Sequence, residues 1–280
     1  MISVTYSSEG IKVEVGNVKK YNPNQPFILK INKHVSGETQ WETNLSDGWF
    51  ATFPSTEMYD VALVDSKNNV LYSKKWDVME NGNHFYKSLW FYNKSIIAQG
   101  RVPSGLVIGT HDGEFGEWVP IVLRKECNVV LVEASDKQHQ KLTKNYKNNS
   151  SVRIIQDLIT PDGGDVEFFE GGEGYTNTVV EKVIRHWETE EIHSTKKSST
   201  SITDLILSHC NGKLDWLHLD VEGLDAKLIM SIDENKVQLP NFIIFEDYNL
   251  SDDEKNQIYT WLKNRQYSIF SDGGICEAVR

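Results

Sequence analysis

The segment Leu106–Trp118 limits most strongly what this 280-residue chain can fold into. It begins with the apolar run Leu106–Ile108, which is typical of a strand buried on both faces of a parallel sheet. Three spaced glycines follow, and an apolar pattern with helical spacing resumes from Trp118, although Pro120 should make that helix start late or kink. The sequence therefore predicts a strand, a glycine turn and a helix. Glycines in such a turn allow a ligand to lie against the backbone, and the helix would direct its free N–H groups toward it.

Carboxylates follow two further predicted strands. The apolar strand Asn128–Val132 ends at Glu133, about 20 residues after the glycine turn, where a nucleotide-binding sheet places an acid that accepts both ribose hydroxyls. A simple turn carboxylate is the alternative interpretation. A later strand ends with Asp220 and Glu222 on one face. Since ligands of open α/β sheets bind at the carboxyl ends of the strands, these acids are predicted to line a ligand site.

The remaining pattern from residue 79 onward alternates between helices and strands. Further strands are predicted at Val152–Ile155, Val166–Phe169 and Phe242–Phe245. Helices are predicted at His84–Gln99, Ser135–Tyr146, Leu224–Ile232 and from Ser251 to Asn264, and a further helix, capped by Ser201 or Thr200, runs through Asp204 to Ser208. The chain ends in a predicted hairpin, Tyr267–Phe270 with Ile275–Val279. A parallel sheet that ends in an antiparallel hairpin is typical of methyltransferases that use S-adenosylmethionine (SAM), and not of nicotinamide enzymes.

Residues 1–78 have a different pattern, which predicts a small antiparallel β-sandwich as a separate accessory domain before the α/β domain of residues 79–280. Seven short β-branched and aromatic runs are separated by turn residues: Ile2–Tyr6, Ile11–Val15, Phe27–Ile31, Thr39–Thr43, Trp49–Phe53, Tyr59–Val64 and Val70–Trp76. Aromatic residues such as Trp41 and Trp49 are expected to fill the sandwich core, and stacking on sugar rings is the alternative.

The composition argues against several classes of protein. The formal net charge of −11 is unfavourable for binding a phosphate backbone, so no nucleic-acid partner is expected. No apolar run reaches the length of a membrane span, and the first residues lack the pattern of a signal peptide, so we expect a cytoplasmic protein. The three cysteines have no paired spacing, which indicates buried or half-buried thiols rather than disulfides or a zinc site.

From about Leu106 onward the chain resembles the FkbM family of SAM-dependent methyltransferases. The resemblance depends on Gly109 and Gly113, on Val132-Glu133-Ala134, on Thr200–Leu205 and above all on Leu217–Asp225, which contains Asp-Val-Glu-Gly after a strand. It implies a Rossmann-like fold, SAM as cofactor and O-methylation of a hydroxyl, often on a sugar or glycan. The chain departs from the family at Val107, where an acid is common, and at His111, where an Asn is common.

These observations predict two sets of site residues. The cofactor set is Gly109, Thr110, His111, Gly113, Glu114, Glu133, Ala134, Asp157 and Asp220. The catalytic set is Asp220, Glu222 and Glu246, whose carboxylates would take the proton of the acceptor hydroxyl. A base without a metal is favoured over a bound Mg²⁺. Two interpretations remain open for His218, which can be a hydrogen-bonded core histidine or a catalytic one. The polar, glycine-rich residues 170–177 can likewise form a mobile lid over the site or a simple loop.

The predicted function is SAM-dependent O-methylation of a sugar or glycan hydroxyl. Three alternatives stay open: a metal-dependent O-methyltransferase of a small molecule, a non-catalytic glycan-binding protein with a degenerate methyltransferase fold, and a nicotinamide oxidoreductase. The glycine spacing and the terminal hairpin disfavour the last of these. The sequence does not determine whether the protein forms a homo-oligomer.

Overall fold

The computed structural model describes residues 2–7, 10–15, 28–33, 39–44, 49–53, 59–64, 70–76, 84–114, 116–172, 176–187 and 192–280. The chain forms two compact units. The first comprises Met1–Trp90 with Glu114–Pro120, and the second comprises Phe91–Gly113 with Ile121–Arg280. The predicted division of the chain near residue 78 into an accessory and a methyltransferase domain stays a prediction.

The first unit contains seven strands at the positions that the sequence pattern predicts. They are β1 (Ile2–Ser7), β2 (Gly10–Val15), β3 (Ile28–Lys33), β4 (Thr39–Asn44), β5 (Trp49–Phe53), β6 (Tyr59–Val64) and β7 (Val70–Trp76). Two antiparallel sheets result, with strand orders β1-β2-β5 and β4-β3-β6-β7. Phe27 lies outside the described residues, and so do three dipeptides between the predicted runs that are typical of turns: Ser36-Gly37, Asp47-Gly48 and Asn68-Asn69. Packing of the two sheets as a sandwich stays a prediction.

The second unit contains a seven-stranded sheet with strand order β10-β9-β8-β14-β15-β17-β16. Its strands are β8 (Ser104–Ile108), β9 (Asn128–Glu133), β10 (Val152–Gln156), β14 (Trp216–Leu219), β15 (Phe242–Glu246), β16 (Ser268–Ser271) and β17 (Ile275–Val279). Strand β17 is antiparallel to both of its neighbours, and the other pairs are parallel. The predicted Rossmann-like fold, with a mostly parallel sheet that ends in an antiparallel hairpin, is confirmed.

The helices in the described part of the chain are α1 (His84–Ala98), α2 (Val119–Leu123), α3 (Asp136–Tyr146), α4 (Glu181–Trp187), α5 (Ile202–Cys210), α6 (Asp225–Met230) and α7 (Asp252–Asn264). Helix α7 starts with a complete capping box between Ser251 and Glu254. Ser135 occupies the N-cap position of α3 as predicted, but its side chain makes no capping hydrogen bond. Helix α2 has only five residues, so it provides little of the helix dipole that the sequence pattern suggests at the glycine turn.

One apolar cluster joins the sheet to the helices that cover it. Leu106, Leu217 and Ile243 from adjacent strands are fully buried, as are Leu228 of α6 and Leu262 of α7. The three cysteines are free, with Cys127 and Cys276 buried and Cys210 half-buried, as predicted. None of the helices in the described part of the chain is long and apolar enough to cross a membrane.

The sequence analysis missed most of a second, smaller sheet in this unit. It consists of β11 (Ile159–Thr160), β12 (Gly164–Glu170) and β13 (His193–Ser201), in the order β11-β13-β12. The polar sequence of β13 is typical of a loop, but seven of its residues pair with β12. Most of its side chains are exposed, so the strand needs no apolar alternation. Within the predicted lid or loop of residues 170–177, residues 173–175 lie outside the described part.

Candidate active site

The carboxyl ends of β10, β9, β8 and β14 lie in one row, because backbone hydrogen bonds continue past the strands. The N–H of Asp157 donates to the carbonyl of Glu133 (3.2 Å), that of Gly109 to a β9 carbonyl (3.1 Å) and that of Asp220 to the last carbonyl of β8 (3.0 Å). The chain passes from β8 outward to β10 and then returns to β14, so Gly109 and Asp220 flank the point where strand order reverses. Ligands of open α/β sheets bind at this point.

The two predicted cofactor-loop glycines are required by close packing. Gly109 has φ +82°, and a Cβ on it would lie 1.8 Å from the carbonyl oxygen of Asp220. Gly113 has φ +79°, and its Cβ would lie 2.5 Å from the ring of Tyr146 and 2.6 Å from a methyl of Leu142. The glycine turn therefore fits tightly against β14 on one side and α3 on the other.

Gly109→Ala is expected to reduce the free energy of unfolding by about 3 kcal/mol or more, or to prevent folding, because the new methyl group meets backbone that cannot move away. Gly164→Ala is the matched control, since Gly164 also has positive φ (+91°) but nothing lies within 4 Å of its Cβ position. The control should cost about 1 kcal/mol from backbone strain alone. Urea unfolding measures both; equal losses would contradict the packing argument.

The Glu133 carboxylate is buried at the end of β9 and is held by two backbone groups. One oxygen accepts the N–H of His111 and the other the N–H of Ser135, both at 2.8 Å. Burial raises the pKa of Glu133 to about 6, while these hydrogen bonds oppose the rise. Each carboxylate oxygen can accept a second hydrogen bond, so Glu133 fits the predicted ribose-binding role.

The glycine loop is held on α3 by side chains of that helix. Tyr146 donates its hydroxyl to the carbonyl of Gly113 (2.7 Å), and Asn145 donates its amide to the carbonyl of Asp112 (2.9 Å). His111 adopts the left-handed conformation (φ 49°), and its Nδ1 lies 3.2 Å from Oδ1 of Asp112. A non-glycine residue held in this conformation costs free energy, which is common in ligand-binding loops.

Three other predicted cofactor residues have different surroundings. The Thr110 hydroxyl is buried and donates to the carbonyl of Val132 (3.3 Å), so it supports the sheet edge. Ala134 accepts a hydrogen bond from Nζ of Lys197 (2.9 Å) through its carbonyl. Glu114 is buried, and its assignment to the cofactor set stays a prediction.

The three predicted catalytic carboxylates meet at the ends of β14 and β15. One oxygen from each of Asp220, Glu222 and Glu246 lies within 4.8 Å of the others. Asp220 is exposed and the other two are half-buried. Such a group can act as a base or hold a divalent cation.

Asn249 connects two of these carboxylates. Its Nδ2 donates to Oε2 of Glu222 (2.8 Å) and to Oε2 of Glu246 (2.9 Å). The hydroxyl of Thr178 donates to the backbone carbonyl of Glu222 (3.0 Å), and Glu222 itself is left-handed (φ 53°). These contacts fix the turn after β14, and the sequence analysis missed both Asn249 and Thr178.

The cluster holds protons at neutral pH. Burial, followed by the charges of Asp220 and Glu246, raises the pKa of Glu222 to about 9. Burial and the charge of Asp220 raise the pKa of Glu246 to about 7. Asp225, fully buried behind the turn, also has its pKa raised well above the usual range by burial and then by Asp220 and Glu246. At pH 7 Glu222 is therefore protonated, while Glu246 is near its midpoint.

Three further features are not members of this cluster: the carboxylate of Asp247, the imidazole of His218 and a cavity beside the small sheet. Asp247 is fully buried and accepts hydrogen bonds from Tyr259 and Ser271, which makes it structural. His218 is buried on β14. A cavity of about 450 Å³ beside the small sheet is lined by none of the three cluster carboxylates; it is bounded by Thr160, Pro161, Val166, Glu167, Phe169, Val179, Glu181 and Leu224.

The sequence profile of the FkbM methyltransferase domain matches residues 108–269, which is more than half of the chain. The chain belongs to the FkbM methyltransferase family. The matched region of this family runs from the end of β8 to β16, so it includes the glycine loop, Glu133 and the carboxylate cluster. The predicted family and enzyme class are confirmed, and no curated protein sequence matches the chain significantly.

Solved structures with a similar fold include several methyltransferases. The N-terminal domain of human METTL16 in complex with SAH is 10% identical, with 70% of this chain and 69% of that chain covered and a TM-score of 0.37. An O-methyltransferase from Bacillus cereus in complex with SAH is 14% identical (69% and 81% covered, TM-score 0.37). The ribosomal protein L11 methylase from Lactobacillus delbrueckii subsp. bulgaricus is 14% identical (72% and 81% covered, TM-score 0.36). Such distant likenesses indicate no substrate for this FkbM family member.

Proposed function

We propose that this FkbM family member transfers a methyl group from SAM to a hydroxyl of a sugar or glycan, with a carboxylate of the Asp220, Glu222 and Glu246 cluster as base. The single observation that carries the proposal is the contact between the glycine turn and the end of β14. Gly109 packs directly on the carbonyl of Asp220, so the cofactor loop and the carboxylate cluster are adjacent. A donor bound at one would lie next to an acceptor held at the other.

The residues along the strand ends fit SAM. Glu133 would accept the ribose hydroxyls, Asp157, one strand further out, would lie near the adenine, and the loop from Gly109 to Gly113 would lie against the methionine portion. The bound cofactor supplies an electrophilic methyl group on a sulfonium. The protein's contribution is to hold the acceptor oxygen in line with that methyl and to exclude competing water.

Proton transfer is the chemical task left to the cluster. As the acceptor oxygen forms its bond to the methyl carbon, the carbon–sulfur bond breaks and the hydroxyl proton passes to a carboxylate. Asp220 is the candidate base, because it is exposed and lies beside the cofactor loop. At neutral pH Glu222 holds its proton, so the negative charge beside Asp220 comes from the ionised fraction of Glu246.

A metal-dependent O-methyltransferase is the second candidate function, favoured by one observation. The three carboxylate oxygens within 4.8 Å of one another form a ligand set that suits Mg²⁺. A cation there would orient the acceptor hydroxyl and neutralise the cluster. Against it, Asn249 donates to two of the three carboxylates and so holds them together without a cation. A cytoplasmic location stays a prediction.

Methyl transfer by this protein is expected to continue undiminished in millimolar EDTA, because the base needs no cation. Calorimetric titration with S-adenosylhomocysteine (SAH) first establishes cofactor binding, and transfer of labelled methyl from SAM to a panel of methyl glycosides is then measured with EDTA or with Mg²⁺. Activity that needs Mg²⁺ would contradict the metal-free carboxylate base and would favour the metal-dependent O-methyltransferase. No SAH binding in either condition would overturn both and favour a non-catalytic glycan-binding protein.

A further inference from the structure

Two exposed aromatic side chains lie next to the carboxylate cluster. Trp187 ends helix α4 and is 43% exposed, and Tyr248 follows β15 and is 55% exposed. Their ring centroids are 5.5 Å apart with an angle of 40° between the planes. Exposed aromatic rings of this size cost hydrophobic free energy in water, so a pair of them on two separate elements points to a ligand.

A hydrogen-bond chain connects this aromatic pair to the catalytic carboxylates. The indole Nε1–H of Trp187 donates to Oδ1 of Asn249 (3.0 Å), while Nδ2 of the same amide donates to Glu222 and Glu246 (2.8 and 2.9 Å). Only the width of one side-chain amide therefore separates the indole from the cluster. A ring lying on the aromatic pair would extend its substituents toward the carboxylates.

We infer that Trp187 and Tyr248 together bind the apolar face of a pyranose ring, and we call this pair the acceptor platform. The inference rests on the proposed function. The C–H groups of one sugar face pack against aromatic rings, while the hydroxyls at the ring edge remain available for hydrogen bonds. Asn249 is occupied by Trp187 and the two glutamates, so the second oxygens of Glu222 and Glu246 are the groups that suit those hydroxyls. A purely aromatic acceptor would use the rings but not these oxygens.

Trp187 has a second role as a positioning residue, because it fixes which way the Asn249 amide points. With Oδ1 engaged by the indole, Nδ2 must face the carboxylates. Trp187→Phe keeps most of the stacking surface and removes the N–H donor. This variant should leave the KM for a pyranoside within about twofold and lower kcat, whereas Trp187→Ala and Tyr248→Ala should raise the KM about tenfold each.

Saturation-transfer NMR tests the platform with SAH present, using methyl β-D-glucopyranoside, methyl β-D-galactopyranoside and methyl α-D-mannopyranoside as sugar probes and catechol as the aromatic probe. At least one pyranoside should show a signal with the wild type that is lost in Trp187→Ala and in Tyr248→Ala. Phe91→Ala is the matched control: Phe91 is 62% exposed on α1, where the neighbouring Tyr92 and Asn93 contact residues at the amino-terminal side of the sheet. It should keep the full signal.

Several results would overturn the platform. They are pyranoside binding that survives both alanine variants, binding of catechol alone, and no binding of any pyranoside while SAH binds normally. In the first case only the platform fails, and in the other two the sugar acceptor fails with it, while SAH binding by calorimetry still supports methyl transfer from SAM. Loss of SAH binding in the wild type would instead remove the proposed function itself, so the two failures are distinguishable.

Discussion

Glu133→Ala is expected to weaken SAH binding about 100-fold or more. The variant loses two charge-assisted hydrogen bonds to the ribose hydroxyls, each worth about 1.5–3 kcal/mol. Glu133→Gln should fall between the wild type and the alanine variant, because its amide oxygen still accepts one hydroxyl. Isothermal titration calorimetry of the purified proteins measures the affinities.

The pH dependence provides an independent check on Glu133. Its pKa is raised to about 6, and the ionised carboxylate is the form that accepts both hydroxyls. SAH affinity should therefore be full above pH 7 and should fall as the pH drops through about 6. Glu133→Gln should show no such fall.

Asp136→Asn is the control for Glu133, since Asp136 is an exposed carboxylate three residues further along the chain. It should leave SAH affinity within about twofold. Glu133 also accepts the N–H groups of His111 and Ser135, so its loss could unfold the protein. Circular dichroism and thermal melting therefore compare the fold and the stability of the alanine variant with those of the wild type. A folded Glu133→Ala protein that binds SAH as tightly as the control would contradict the ribose-binding role.

The sequence predicts the strand ends of this site well, because their signals are local. An unbroken apolar run such as Leu106–Ile108 is typical of a strand buried on both faces, and the residue after it must then lie at the carboxyl edge. The same rule places Glu133 and Asp220 correctly relative to the sheet. Rossmann-like topology and the terminal hairpin follow from the order of such segments.

The polar connections of the site could not be predicted in the same way. Asn249 lies in a turn, and nothing in its sequence neighbourhood indicates that its amide contacts Glu222, 27 residues away. The contact of Trp187 with Asn249 spans 62 residues and depends on where α4 packs. Strand β13 is missed because its stability comes from backbone pairing with β12 rather than from an apolar face. Tertiary contacts of this kind have no periodic signature in the sequence.

Asp220→Asn is expected to lower kcat for methyl transfer about 100-fold or more, with SAH affinity changed little, because a general base contributes about 10²–10⁴ in rate. In the wild type, kcat/KM should rise as the pH increases through about 7, where Glu246 loses its proton and adds negative charge to the carboxylate cluster. Glu246→Gln should remove this rise and keep part of the activity. Asp165→Asn, an exposed carboxylate on β12, serves as the control and should behave as the wild type. The rates of the wild type and the three variants are measured between pH 5.5 and 9 as transfer of labelled methyl to a pyranoside acceptor. Full activity of the Asp220→Asn variant would contradict the assignment of Asp220 as the base.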